Sequence, residues 1–301
     1  MLNDIDKVKE LLSKIEVVEI IKKIEIYRKL DFKTISDQDL FNEILKVILV
    51  NVNGVDRSFL FPRLASYPHK TKFYRVRAVE SDDHYCPLKA MTFEQDAWNP
   101  PSEFIKKRGR LNNIHESLLY TSPINPFVAV EEIKVKDGEW FCLIVYEAKV
   151  EIKVSIIGQW EDLPELSADE NLKMRIISNF LNDEFTRDVG EGTEYLYRAS
   201  ERIAKDYFDL PPRIVQDAWC YPSIAQKNCA NVCFRPEIAK DVLKLVGVQI
   251  CKITKENGDY LFTCPVIATG FDDDKKFKYY SVDHPICKEI FPEIQLGKNT
   301  G

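Results

Sequence analysis

The apolar side chains of this chain follow two different periods, and the change from one to the other falls before Phe73. From Asp4 onward, Ile5, Val8, Leu11, Leu12, Ile15, Val18, Ile21 and Ile24 recur every three or four positions with Lys and Glu between them. That is the period of an amphipathic helix, expected over residues 4 to about 29. A second helix is expected with Ser36 or Asp37 as its cap, running through Leu40, Ile44, Val47 and Ile48. Together they make a helical N-terminal extension over residues 1–60. It reads either as an arm packed on the main domain or as a surface for a dimer or another partner.

After Phe73, short apolar runs broken by Pro, Gly and Asn predict strands at 73–79, 118–121, 128–135, 140–146 and 150–157, and again at 215–221, 229–235, 246–254 and 260–268. Between the two groups, Ser167 with Glu170 forms a capping box that opens a helix to Asn182, and 193–208 reads as a helix with Leu196, Ala199, Ile203 and Tyr207 on one side. The expected class is α+β, with the main domain over 61–301.

At 301 residues and 45% hydrophobic content the chain can bury a full core without staples, so its eight irregularly spaced cysteines read as reduced thiols, which points to the cytoplasm. The net charge of −6 gives no general basic surface, so nucleic acid and anionic membranes are not expected as partners. The start Met1-Leu2-Asn3-Asp4 lacks the basic opening and apolar core of a signal peptide, and no window has the length of an apolar membrane span. An anionic ligand must therefore meet a local cluster of Lys or Arg.

Four stretches place polar residues where a plain core would not need them: Phe73-Tyr74-Arg75-Val76-Arg77, Arg108-Gly109-Arg110-Leu111-Asn112, Leu119-Tyr120-Thr121-Ser122 and Ala129-Val130-Glu131-Glu132. An Arg inside a strand is costly to bury unless it meets an anion, so Arg75 is either a phosphate ligand or half of a structural ion pair. Gly109 before Arg110 suits a close backbone approach or an ordinary surface turn, with Asn112 supplying an amide. In Glu131-Glu132, strand alternation points one carboxylate to each face. A carboxylate beside a sugar C1 stabilises the positive charge that develops as a glycosidic bond ionises.

The order Tyr-Arg, Gly-Arg-x-Asn, Tyr-x-Ser, Ala-x-x-Glu, then Tyr-Pro-Ser with a following Asn resembles the RES family, named for an Arg, a Glu and a Ser. The residues that carry the resemblance are Tyr74-Arg75, Arg110 and Asn112, Tyr120 and Ser122, Glu132, Tyr221-Pro222-Ser223 and Asn231. The resemblance implies a mixed β-sheet core with flanking helices, similar to ADP-ribosyltransferases, and an enzyme that cleaves the nicotinamide–ribose bond of NAD by phosphorolysis or hydrolysis. RES proteins commonly act as the toxin of a bacterial toxin–antitoxin pair, which implies an antitoxin or regulatory protein as partner. Some relatives instead ADP-ribosylate a protein. Leu111 stands where the family usually has an aromatic residue and His115 where it commonly has Gly, which implies a reshaped phosphate loop. The longer stretch between Glu132 and Ser223 and the N-terminal extension point to a stand-alone or defence-type NADase.

On this reading Arg75 and Arg110 grip the pyrophosphate, Ser223, Asn112 and Asn231 add neutral donors, and Tyr74 or Tyr120 packs on the nicotinamide or its ribose. Glu132 stabilises the oxocarbenium-like transition state or orients the attacking phosphate or water. NAD is a substrate and not a recycled cofactor, and inorganic phosphate is the co-substrate if phosphate attacks. No Gly-x-Gly-x-x-Gly or Gly-x4-Gly-Lys-Ser/Thr stretch is present. A protein-directed ADP-ribosyltransferase and a non-catalytic NAD sensor remain alternatives. Cys229 and Cys233 have no second metal-ligand pair at finger spacing, and His69, His84, His115 and His284 are scattered, with His115 alone inside the candidate phosphate loop. Trp98-Asn99-Pro100-Pro101 is a rigid loop, and Asp272-Asp273-Asp274 a solvated hairpin turn.

Overall fold

A computed structural model describes residues 2–79, 86, 91–210, 215–256 and 259–295. His84 lies outside the described residues. Three helices come first: α1 (Leu2–Leu12), α2 (Val17–Arg28) and α3 (Asp37–Ile48). Four strands follow, β1 (Leu49–Val52), β2 (Val55–Ser58), β3 (Arg63–Tyr67) and β4 (Lys72–Ala78). Next come β5 (Leu119–Pro123), α4 (Pro126–Ile133), β6 (Trp140–Ala148), β7 (Ile152–Ile156), α5 (Ala168–Thr186) and α6 (Tyr197–Tyr207). The rest is β8 (Ala218–Pro222), β9 (Ala230–Phe234), α7 (Pro236–Val242), β10 (Leu243–Glu256), β11 (Asp259–Phe271), β12 (Phe277–Ser281) and α8 (Pro285–Ile290). The chain is α+β. No described helix is long and apolar enough to cross a membrane.

Two compact units share these elements. Unit 1 takes residues 1–65, 102–116 and 153–228, and unit 2 takes 66–101, 117–152 and 229–301. In unit 1 the helices of residues 1–60 pack on α5 and α6. The Tyr27 ring meets Phe180 edge-on at 5.0 Å, and the Lys173 ammonium donates to the Leu12 carbonyl at 3.1 Å, satisfying an orphan at the end of α1. Strands β7 and β8 run parallel, Val154 facing Ala218, and the long connection that a parallel pair requires carries α5 and α6.

The single helix expected over 4–29 is two helices. Buried positions Leu12, Ile15, Ile20 and Ile24 include a five-residue step that one continuous helix would turn away from the core. A break at 13–16, where the Ser13 hydroxyl donates to the Glu10 carbonyl at 2.7 Å, keeps both stripes buried. Ser36 does cap α3, accepting from the Asp39 N–H at 3.0 Å, and the Ser167–Glu170 capping box does open α5.

Unit 2 is built on an antiparallel sheet in the order β12-β11-β10-β6-β4-β5-β9. One face presents Tyr74, Val76, Leu143 and Val145 to Ala129 and Val130 of α4 and to Cys287 and Phe291. The other presents Phe73, 5.5 Å from the Phe234 ring, and Tyr146, 5.3 Å from Trp98. Asp272 closes the β11–β12 turn, accepting from the Asp274 and Lys276 N–H groups at 3.0 and 2.8 Å.

Residues 128–135, expected as a strand, form α4 and its exit. Asn125 accepts from the Phe127 N–H at 3.0 Å and Pro126 takes the first helical position, so capping outweighs the β-branched side chains of Val128 and Val130. Lys134, at φ 56°, ends the helix in the left-handed region. Glu131 and Glu132 are therefore about 100° apart around a helix and do not alternate between faces of a sheet.

Candidate functional site

The register of three strands assembles most of the unit 2 candidates. Tyr74 of β4 faces Ser122 of β5, and Tyr120 and Thr121 face Cys233 and Val232 of β9. One more step of that register sets Ser122 opposite Asn231. Directly opposed residues of an antiparallel sheet point the same way, as do residues two apart on one strand. Tyr74, Tyr120, Ser122 and Asn231 therefore share one face, and α4 packs on β4 and β5 over it.

On this face three candidate side chains form a hydrogen-bonded line. The Ser122 hydroxyl donates to Asn231 Oδ1 at 2.8 Å, and Asn231 Nδ2 donates to Glu132 Oε1 at 2.7 Å. Ser122 and Asn231 are buried and Glu132 is half-buried. The serine fixes which end of the amide meets the carboxylate, and a charge-assisted bond of this kind contributes roughly 1.5–3 kcal/mol. Glu131 and Glu132 occupy the last turn of α4, which has no basic residue. A helix C-terminus favours cations, so two carboxylates there run against the local electrostatics, as side chains placed for chemistry often do. Tyr74 is buried and burial pushes its hydroxyl up to about 12, so it stays a neutral donor. Tyr120 remains partly exposed.

Arg75 does not join this line. Its neighbour Tyr74 points to the α4 face, so Arg75 points to the other, with Phe73 and Tyr146. There it donates to the Trp98 carbonyl and to the Tyr146 hydroxyl, which itself donates to the Ala97 carbonyl. Among the described residues no carboxylate lies within ion-pair distance of Arg75, so the structural ion pair is not what holds it. Together Arg75 and Tyr146 tie down the loop that begins at Trp98. Tyr146 escapes a sequence reading because it sits in an otherwise apolar run, Phe141-Cys142-Leu143-Ile144-Val145.

Arg110, Asn112 and Ser223 belong to unit 1. The buried Arg110 guanidinium donates to the Phe185 carbonyl in the last turn of α5 and to the Arg187 carbonyl at 3.4 Å, and it lies 5.2 Å from the Tyr197 ring centre. It thus supplies the cation that the end of α5 lacks in its own sequence. Asn112 Nδ2 donates to the Asn113 carbonyl at 2.9 Å, and the Ser223 hydroxyl accepts from the Ala225 and Gln226 N–H groups at 3.1 and 3.2 Å. The Gly109 N–H donates to the Asn112 carbonyl at 3.0 Å, which makes residues 109–112 a tight turn. His115 has φ 62° and its Nδ1 lies 3.3 Å from the Ser102 carbonyl. The backbone at His115 thus holds a conformation that favours glycine.

Beside this turn, unit 1 has an open cleft of about 470 Å³ whose wall includes Lys106, Lys107, Arg108, Glu194, Tyr195 and Arg198. Its charges are largely paired within the unit: Lys107 with Glu194 at 3.0 Å, Arg108 with Glu201 at 2.7 Å and Arg198 with Asp37 at 2.6 Å. Among the described residues, no group of three His, Cys, Asp or Glu side chains is arranged to hold a metal ion. Cys233 is buried in β9 opposite Tyr120, and His284 caps α8 by accepting from the Ile286 N–H. A comparison of the chain with protein-family models gives no match, and a comparison with curated proteins gives none either.

Proposed function

We propose that this chain is an NAD-degrading enzyme of ADP-ribosyltransferase-like fold, cleaving the nicotinamide–ribose bond with Glu132 as its catalytic carboxylate. The observation that carries the reading is the line Ser122–Asn231–Glu132, which holds one carboxylate oxygen with a fixed amide and leaves the carboxylate half-buried. An anion in that setting stabilises an oxocarbenium-like sugar at little reorganisation cost. Tyr120, partly exposed and on the same face, is the aromatic residue proposed to meet nicotinamide or its ribose. The pyrophosphate contacts of Arg75 and Arg110 rest on the resemblance alone, and both guanidiniums already serve backbone carbonyls.

The test is to incubate the purified chain with NAD, with and without inorganic phosphate, beside Glu132→Gln. Nicotinamide with ADP-ribose or its 1″-phosphate is expected, which also identifies the nucleophile. The variant should lose on the order of 10³-fold in rate, about 4 kcal/mol of transition-state stabilisation. Intact NAD in every tube, or label transferred from NAD to protein, would reject the reading in favour of a binding module or an ADP-ribosyltransferase.

A further inference from the structure

The ladder between β10 and β11 contains an irregularity with chemical consequences, an extra residue on β11. Ile250 faces Val266 and Lys252 faces Thr263, so Cys251 stands opposite both Cys264 and Pro265. This is a β-bulge, sited where Pro265 has no N–H to give to the ladder. The two thiols are neighbours that interact electrostatically. Facing residues of antiparallel strands have Cα atoms about 4.5–5.5 Å apart, within the range a disulfide spans. Cys251 is fully buried, whereas Cys264 is partly exposed.

We infer that Cys251 and Cys264 form a reversible thiol modification site that takes hydrogen peroxide or a small organic peroxide as its oxidant and closes to a disulfide. Cys264 is the attacking sulfur. Cys264 is the member of the pair that solvent reaches, and the Cys251 thiol beside it holds it below the ordinary range, while the same neighbour, with burial, holds Cys251 above it. The Cys264 thiolate attacks one peroxide oxygen, the O–O bond breaks, and a sulfenic acid and one water or alcohol result. The Cys251 sulfur then attacks the sulfenic sulfur, the S–S bond forms, the S–O bond breaks and a water leaves. Two thiols have lost two electrons and two protons, and the peroxide has gained them.

The pair lies within a functional neighbourhood. Cys251 belongs to the apolar cluster that also contains Ala129 and Val130 of α4, the helix that carries Glu132. Closing the disulfide staples β10 to β11 at the edge of the cluster that α4 also enters.

The experiment treats the full chain with hydrogen peroxide, alkylates the remaining thiols and maps peptides by mass spectrometry without reduction. A Cys251–Cys264 cross-link is expected, lighter by two hydrogens, abolished by dithiothreitol, with the other thiols still alkylated. Cys251→Ser should lose the cross-link and leave Cys264 as a sulfenic acid trapped by dimedone. Cys264→Ser should leave Cys251 a free thiol at the same peroxide concentration, and unchanged circular dichroism checks that each variant folds. Both thiols alkylated after peroxide, a cross-link from Cys264 to Cys287, or a sulfinic Cys264 beside a free Cys251 would each overturn the inference.

Discussion

Arg110, Asn112 and Ser223 in unit 1 meet backbone atoms, whereas Ser122, Asn231 and Glu132 in unit 2 meet one another. The six look equally suggestive in the sequence, each a polar residue in an apolar or turn-rich setting. What separates them is the partner. Backbone carbonyls and N–H groups at a helix end or turn must be satisfied wherever they are buried, so a side chain that serves them has a structural task. The two bonds that run from the Ser122 hydroxyl through the Asn231 amide to the Glu132 carboxylate join side chain to side chain, and that arrangement calls for another explanation. Arg75 sides with the first group although it belongs to unit 2, since it holds the Trp98 carbonyl.

This contrast can be broken by mutation. Arg110→Ala should have the largest effect on stability, about 2 kcal/mol, because it strands the Phe185 and Arg187 carbonyls, and denaturant unfolding measures it. An unchanged midpoint with a raised KM for NAD would make Arg110 a ligand residue and erase the distinction between the units. Ser122→Ala should cost less, about 1 kcal/mol, by removing the bond that orients Asn231. As a positioning change it should lower kcat several-fold with KM for NAD unchanged, and Ser122→Thr should restore the rate; equal losses in kcat and stability without rescue would reduce the line to packing.

The smallest effect concerns Glu184, which accepts from the Tyr27 hydroxyl at 3.1 Å and from Arg187. Burial raises its carboxyl above the ordinary value of 4.5, against the pull of Arg187. A folded-state value above the unfolded one means that this contribution is fully present below the unfolded value and is lost as pH rises through the folded one. The Tm should therefore decline gently over that interval, and Glu184→Gln should flatten the slope. A slope that survives the substitution would assign the titration to another group.

Much of the fold was legible because its signals are local. Ser36 and Ser167 announce α3 and α5, and most strand runs after Phe73 lie where apolar clusters end at Pro, Gly or Asn. Where reading by apolar period went astray, a cap or turn decided the outcome. Asn125-Pro126 made a helix from a β-branched run, and Asn53-Gly54, with φ 54° and 84°, made the β1–β2 hairpin that the period missed. The members of the site were legible as residue types in order. Their connection was not, because Ser122 and Asn231 are 109 positions apart and Asn231 and Glu132 are 99 apart, so only tertiary register joins them. The divergence of Tyr74 and Arg75 follows from strand alternation.

The interleaving of the two units also bears on how the chain is made. Synthesis delivers Tyr27 long before Phe180, against which it packs, and β7 long before its parallel partner β8. Unit 1 cannot close until residue 228 has emerged, and unit 2 begins before that and ends after it. Contacts of such long separation form slowly because loop closure must come first. The apolar stripes of α2 and α3 thus stay without their partners until α5 and α6 have been made, and a chain stopped before residue 228 leaves both units unfinished.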